Sequence, residues 1–145
     1  MSENQIYICG ALTFVPEQEK SELEKFFVDL AEVCKEYGFF ALVPGKKWLD
    51  RGIPDPSTRQ VYETDKKEVM ESVFMIAVLD YLSFGVGIEL EICNANKIPL
   101  IALLRKGNSV SKITEGCPAI EQLIEYENYS DALEKIREFF EECKQ

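Results

Sequence analysis

The alternation of apolar runs with segments of helical periodicity constrains the fold of this chain more than any other feature. Four apolar runs are bounded by turn residues, as buried strands are: 6–9, 39–43, 73–79 and 98–104. A weaker fifth strand is predicted near 122–126. Strands that alternate with helices form a parallel sheet covered on both faces, with right-handed crossovers. The sequence therefore predicts an α/β protein with one parallel sheet, and its 145 residues fit a single domain, 1–145.

Helix boundaries are indicated by capping residues as well as by periodicity. Apolar residues recur at helical spacing from about 17 to 37, and Gly38 stands where a C-cap belongs. Ser57 opens a capping-box pattern that predicts a helix to about 71, and Ser130 is predicted to cap a last helix that ends near 143. Segment 46–57 lacks periodicity and is rich in glycine and proline, so it is predicted to be a loop.

Composition excludes some classes of partner. The formal net charge is −10, whereas nonspecific binding to duplex nucleic acid needs a basic surface. No apolar run approaches the length of a membrane span, and no signal peptide opens the sequence. We therefore expect a cytoplasmic protein that acts on a small molecule, with neither nucleic acid nor a membrane as its partner.

Cysteine usage and the lack of histidine bear on redox and metal chemistry. The five cysteines are odd in number and have no CxxC spacing, and Cys9, Cys34 and Cys93 lie in apolar patterns. This is typical of buried thiols in a reducing compartment rather than of a disulfide framework or a zinc site. Histidine, the commonest metal ligand and the usual base at neutral pH, is missing. No metal site is predicted.

The segment from Ser83 to Glu89, directly after the third predicted strand, combines two features of an anion-binding site. Gly85 and Gly87 predict a tight turn that leads into a helix, where free backbone N–H groups bind anions. Glu89 is predicted in the first turn of this helix, where those groups favour the ionised carboxylate. Ser83 is a candidate donor to a phosphate oxygen. An ionised carboxylate beside an anion cradle indicates chemistry on a phosphorylated substrate.

Each candidate residue also has a purely structural explanation. An acid favours a helix N-terminus, and Tyr7 alternates with apolar neighbours as a core tyrosine would. Asp65 lies in a charged run typical of a solvated helix face, and its spacing does not distinguish it from its charged neighbours. However, Tyr7, the loop at Gly10 and segment 83–89 fall at the carboxyl ends of strands, where ligands bind in parallel sheets. That shared edge favours a functional interpretation.

The chain resembles the nucleoside 2-deoxyribosyltransferase superfamily in three segments: Tyr7-Ile8-Cys9-Gly10, Asp65 and Ser83-x-Gly-x-Gly-x-Glu89-Leu90. Within the superfamily it is most similar to the 2′-deoxynucleoside 5′-monophosphate N-hydrolases. The likeness spans nearly the whole chain. It implies a flavodoxin-like (Rossmann-like) five-stranded parallel sheet with helices on both faces, assembled as a homodimer or homotetramer.

The resemblance also implies roles for individual residues. Glu89 matches the nucleophile, Asp65 the acid that assists departure of the base, and Tyr7 the phenol that positions the nucleophile. Other positions match contacts to the substrate: Ser83, Gly85 and Gly87 to the 5′-phosphate, Ser111 to the phosphate from a neighbouring subunit, and Gly10 in a loop that covers the substrate. The nucleoside transferases usually carry an aspartate at the position of Ser83. A carboxylate there would repel a phosphate and a hydroxyl donates to it, which favours a nucleoside 5′-monophosphate.

The reaction that these matches imply is hydrolysis of the N-glycosidic bond of a (deoxy)nucleoside 5′-monophosphate through a covalent glycosyl–Glu89 intermediate, without a cofactor. The helix terminus is expected to keep Glu89 ionised while burial favours the protonated form of Asp65. The sequence leaves open a 2-deoxyribosyltransferase that exchanges bases and a noncatalytic nucleotide-binding module on the same fold. A phosphoribohydrolase acting on ribonucleotides is disfavoured, because its usual PGGxGTxxE block is absent.

Overall fold

A computed structural model of the chain describes residues 3–145, and within them five strands form one sheet. The strands are β1 (Gln5–Cys9), β2 (Phe40–Leu42), β3 (Phe74–Val78), β4 (Leu100–Arg105) and β5 (Ile120–Tyr126). Their order is β2-β1-β3-β4-β5, and each neighbouring pair is parallel. The predicted α/β fold with a five-stranded parallel sheet is confirmed.

Helices cover both faces of this sheet. They are α1 (Glu17–Glu36), α2 (Lys46–Asp50), α3 (Thr58–Met70), α4 (Phe84–Ala95), α5 (Lys112–Glu115) and α6 (Tyr129–Cys143). One core cluster joins α1 and α6 to the sheet, and a second joins α3 and α4 to its other face. Within residues 3–145, no helix combines the length and the apolarity that crossing a membrane requires.

Strand β1 determines which side chains reach the site. Because successive side chains point to opposite faces of a sheet, Ile6 and Ile8 pack in the cluster under α1 and α6. Tyr7 and Cys9 pack in the cluster under α3 and α4. The strand order also turns back between β1 and β3, and ligands in folds of this order bind at the carboxyl ends of the strands beside that point.

The capping predictions hold at two helices and are wrong at a third. Ser57 forms the full capping box at the start of α3, and Gly38 follows α1 with a φ of 87° that suits glycine. At α6, however, the N-cap is Asn128, whose side-chain oxygen accepts from the Asp131 N–H. Ser130 lies inside the helix, because asparagine two residues earlier already bonds the free N–H groups.

The segment 46–57 is not a loop throughout, because it begins with helix α2. Gly45, with a φ of 74°, turns the chain out of β2 into this helix. Lys46 Nζ lies 2.7 Å from Asp50 Oδ2, an i,i+4 pair that supports the single turn. The short helix α5 likewise lies in the polar segment after β4.

Candidate active site

The helix that carries Glu89 begins earlier than the sequence predicts. Ser83 is the N-cap of α4, and its hydroxyl oxygen accepts from the Val86 N–H at 3.2 Å. Gly85 and Gly87 therefore lie within the helix rather than in a turn before it. Glu89 lies in the second turn, where backbone N–H groups are already bonded within the helix. The prediction that Glu89 belongs to the first turn is wrong.

The carboxyl group of Glu89 lies against the carboxyl end of β1. It is half-buried, and desolvation together with the charge of Asp65 raises its pKa to about 7. Hydrogen bonds from the Tyr7 hydroxyl and the Cys9 thiol, and the charge of Lys47, oppose this rise in the pKa. The expectation that the helix terminus keeps Glu89 ionised thus gives the wrong direction, because burial outweighs the helix at this position.

A buried lysine on α2 connects the acidic groups of the site. Lys47 Nζ lies 2.6 Å from Asp65 Oδ1 and 3.1 Å from Glu68 Oε2. It also donates to the Tyr7 hydroxyl at 3.2 Å and lies 4.7 Å from the centre of the Tyr7 ring. The structure therefore brings together Tyr7, Asp65 and Glu89, as the family resemblance implies. Asp65 is bound to an ammonium group rather than held as an isolated buried acid.

Sequence reasoning missed Lys47 and Glu68. Lysine is seldom buried, and Lys47 lies in a segment interpreted as a loop, yet it is only 8% exposed. The i,i+4 spacing of Lys46 and Asp50 was the available signal, since it indicates a helical turn that directs Lys47 to a different face. On its other side, Glu68 Oε1 binds Arg51 at 2.7 Å. Among residues 3–145, no group of three or more potential ligands is placed to hold a metal ion.

The predicted glycines differ in what surrounds them. A Cβ on Gly10 would lie 2.4 Å from Cζ of Phe27, so this glycine is required for the packing of α1 against the end of β1. Its contact to a substrate stays a prediction. A Cβ on Gly87 would meet no atom within 4 Å, and one on Gly85 would have Ser83 Oγ as its nearest neighbour at 3.6 Å. The start of α4 is therefore open to an approaching ligand.

Within one chain, Ser111 does not lie with the side chains of Tyr7, Asp65 and Glu89. It is the exposed N-cap of α5, and its hydrogen-bond partner is Thr114 in the same turn. Its contact to a phosphate across a subunit interface stays a prediction.

A groove of about 650 Å³ lies on another side of the same cluster. It runs along the edge strand β2 between α1 and α2, and its lining includes Lys47 and Arg51 but not Glu89. The carboxylate at the end of β1 and this groove are thus on different sides of Lys47.

The sheet order and the acidic cluster beside β1 define a flavodoxin-like α/β protein with titratable side chains gathered at its switch point. Solved structures with this fold include a CMP N-glycosidase, BcmB, from Clostridium botulinum, with a TM-score of 0.68 and 21% identity over 94% of this chain and 99% of the other. A 2-deoxyribosyltransferase from Bacillus psychrosaccharolyticus has a TM-score of 0.62 and 14% identity, over 89% and 90% of the two chains. A conserved protein from Enterococcus faecalis V583 has a TM-score of 0.65 and 16% identity, over 95% and 99%.

No family model matches the sequence, and no curated protein matches it. The structural likenesses show the fold of the chain. They confirm the flavodoxin-like architecture that the resemblance to the deoxyribosyltransferase superfamily implies, since a 2-deoxyribosyltransferase is among the structures that share it.

Proposed function

We propose that this protein hydrolyses the N-glycosidic bond of (deoxy)nucleoside 5′-monophosphates and releases the free base and a sugar 5-phosphate. One observation carries the proposal: the half-buried carboxylate of Glu89 lies against a phenol and a thiol, beside the open start of a helix. The fold supports it, because structures that share this fold include a CMP N-glycosidase and a 2-deoxyribosyltransferase.

In the proposed reaction, an oxygen of Glu89 attacks C1′ while the bond from C1′ to the base nitrogen breaks. The electrons of that bond leave with the base, which takes a proton supplied or relayed by Asp65. Water then attacks C1′ of the glycosyl–enzyme, and its proton returns to Asp65. The bond from C1′ to the Glu89 oxygen breaks, which restores the carboxylate and frees the sugar 5-phosphate. The hydroxyl of Tyr7 positions Glu89 throughout. These steps need no cofactor.

The 5′-phosphate is assigned to the start of α4. Because the Ser83 oxygen accepts from the Val86 N–H, the hydroxyl proton of Ser83 remains free to donate to a phosphate oxygen. Free backbone N–H groups at the helix start add donors, and Gly85 and Gly87 allow an anion to come close. A hydroxyl rather than a carboxylate at this position favours a monophosphate over an unphosphorylated nucleoside.

A homodimer or homotetramer is also part of the proposal, with Ser111 of one subunit reaching the phosphate bound by another. The support is a set of large apolar side chains exposed beside the start of α4 and beside Ser111: Leu82, Phe84, Ile88 and Ile113. Exposed apolar patches of this kind are typical of surfaces that another protein covers.

The role of Cys9 favours a reducing compartment, such as the cytoplasm. Its thiol donates to Glu89, and a sulfur engaged in a disulfide has no hydrogen to donate. The protein would then work where nucleoside monophosphates are present with free thiols.

The experiment incubates the protein with a panel of deoxyribo- and ribonucleoside 5′-monophosphates and measures free base by chromatography. We expect base release by the wild type and a loss of at least about 1000-fold in Glu89→Gln. Glu91→Gln is the matched control, because Glu91 is an exposed acid on the same helix that binds Asn94. It should keep wild-type activity.

The same assay separates the alternative functions. A second free base added to the mixture would become glycosylated if the protein were a deoxyribosyltransferase. Tight binding of a nucleotide with no base release over hours would identify a noncatalytic module. Either result, or an active Glu89→Gln variant, would overturn the proposed hydrolysis.

A further inference from the structure

The surroundings of Lys47 are not explained by the proposed reaction. Removing an ammonium group from water is costly unless each of its donors is satisfied. Lys47 is buried, and its acceptors are Asp65, Glu68 and the Tyr7 hydroxyl, one for each ammonium hydrogen. Because all three of its donors are satisfied, the buried ammonium group of Lys47 is held in one place and links Asp65, Glu68 and Tyr7.

Lys47 determines which way the Tyr7 hydroxyl points. An ammonium group has only hydrogens to donate, so the Tyr7 oxygen must be the acceptor in their 3.2 Å contact. The single proton of Tyr7 is then left for another acceptor, and Glu89 is the carboxylate with which it bonds. Lys47 therefore fixes Tyr7 as a donor to Glu89.

Lys47 also brings the positive charge to a site that is otherwise acidic. The titratable groups that interact with Glu89 come from every element packed around it: Tyr7 and Cys9 on β1, Lys47 on α2, Asp65 on α3 and Cys93 on α4 itself. Asp65 disfavours the charged form of Glu89, and Lys47 favours it. Behind them, Glu68 binds both Lys47 and Arg51 and so partly neutralises the charge of Lys47.

We propose that Lys47 is a positioning residue that keeps Glu89 ionised and Tyr7 directed at it, and that Glu68 is the counter-charge that limits this effect. This inference rests on the proposed function, in which ionised Glu89 is the nucleophile. Lys47 acts through Tyr7 and through its charge, without touching the substrate.

Two variants should change the ionisation of Glu89 in opposite directions. Lys47→Met keeps the length of the side chain and removes its charge, so the pKa of Glu89 should rise by about one pH unit or more. Glu68→Gln removes the carboxylate that competes for Lys47, so the pKa of Glu89 should fall. Lys46→Met is the control, because Lys46 is exposed and its salt bridge is to Asp50; it should leave this pKa unchanged.

Two readouts are needed. The first is the pH dependence of kcat/KM for base release, whose acid limb should move with the pKa of Glu89. The second is a carbon-13 NMR titration of the glutamate carboxyl groups, with the Glu89 signal assigned by its loss in Glu89→Gln. If Lys47 had a purely structural role, the two variants would lose activity or stability, but the pKa of Glu89 would not move in opposite directions in them.

A raised pKa of Glu89 in Lys47→Met and a lowered one in Glu68→Gln support the inference. An unchanged pKa of Glu89 in both variants overturns it. If Lys47→Met does not fold, Glu68→Gln decides alone: a lower pKa supports the inference and an unchanged one overturns it. A wild type that releases no base would refute the proposed function, and the NMR titration would still decide whether Lys47 controls Glu89.

Discussion

In the proposed reaction, Glu89 must be shielded enough to act on a bound sugar and must still ionise at the pH of the cell. Burial and the nearby charge of Asp65 raise its pKa to about 7, and Tyr7, Lys47 and Cys9 prevent a larger rise. A group with this pKa is substantially ionised near neutral pH, where a nucleophile needs the charged form. The pKa of Glu89 therefore results from opposing contacts around its side chain, more than from the position of Glu89 on helix α4.

The raised pKa of Glu89 predicts a cost in stability at alkaline pH. The folded protein binds the Glu89 proton more tightly than the unfolded chain does, because the pKa is about 7 rather than 4.5. Stability is therefore lost as the pH rises from 4.5 to about 7, and it stays lower above that. At about pH 8, Glu89→Gln should raise the free energy of unfolding by about 1–3 kcal/mol.

This prediction can be measured by urea unfolding followed by circular dichroism. At about pH 4 the carboxyl group is largely protonated in both states, so the difference between Glu89→Gln and the wild type should be close to zero. Glu91→Gln, at an exposed position, should show no such dependence on pH. An equal effect of Glu89→Gln at both pH values, or destabilisation at the higher one, would contradict the assigned surroundings of Glu89.

At the scale of helices and strands, the sequence predicts the elements that are long enough to show a hydrophobic pattern or that carry a capping motif. Four strands are found at the apolar runs bounded by turn residues, and the fifth at the weaker pattern near 122–126. The capping box at Ser57 marks the start of α3. Helix α2 has only five residues, too few to show periodicity. Its position depends on contacts that exist only in the folded chain, above all those of Lys47 with Asp65 and Glu68.

Helix α4 shows why the sequence does not predict the electrostatics around Glu89. Glycine is a poor helix former, so Gly85 and Gly87 were interpreted as a turn. Ser83 nevertheless caps the helix before them and places Glu89 one turn further in. The loss of solvent around Glu89 depends on tertiary neighbours such as Tyr7, which residue spacing along the chain does not reveal.

On the scale of the whole molecule, the two most exposed large apolar side chains among the described residues lie at the start of α4 and on α5. Phe84 is 94% exposed and Ile113 is 87% exposed, although the chain carries a formal net charge of −10 that should oppose nonspecific association. Apolar side chains this exposed suggest that part of the surface is covered in solution.

The proposed homodimer or homotetramer predicts the mass in solution of the wild type and of a variant. Ile113→Glu places a charge on the exposed apolar surface two residues from Ser111, so it should shift the protein toward monomer and reduce cleavage of monophosphates. Phe40→Ser, on the edge strand β2, is the control. It should keep the wild-type mass in solution and the wild-type rate of monophosphate cleavage. Sedimentation velocity measures the mass; a monomeric wild type with full activity would refute the oligomer.

The proposed covalent bond between Glu89 and the sugar can be observed by mass spectrometry of the acid-quenched enzyme. Wild-type protein is mixed with a deoxynucleoside 5′-monophosphate, quenched in acid during turnover and digested. A sugar phosphate should be attached to the wild-type peptide that contains Glu89, and none should be attached in Glu89→Gln. Attachment to another residue, or undiminished base release by Glu89→Gln, would contradict the proposed bond.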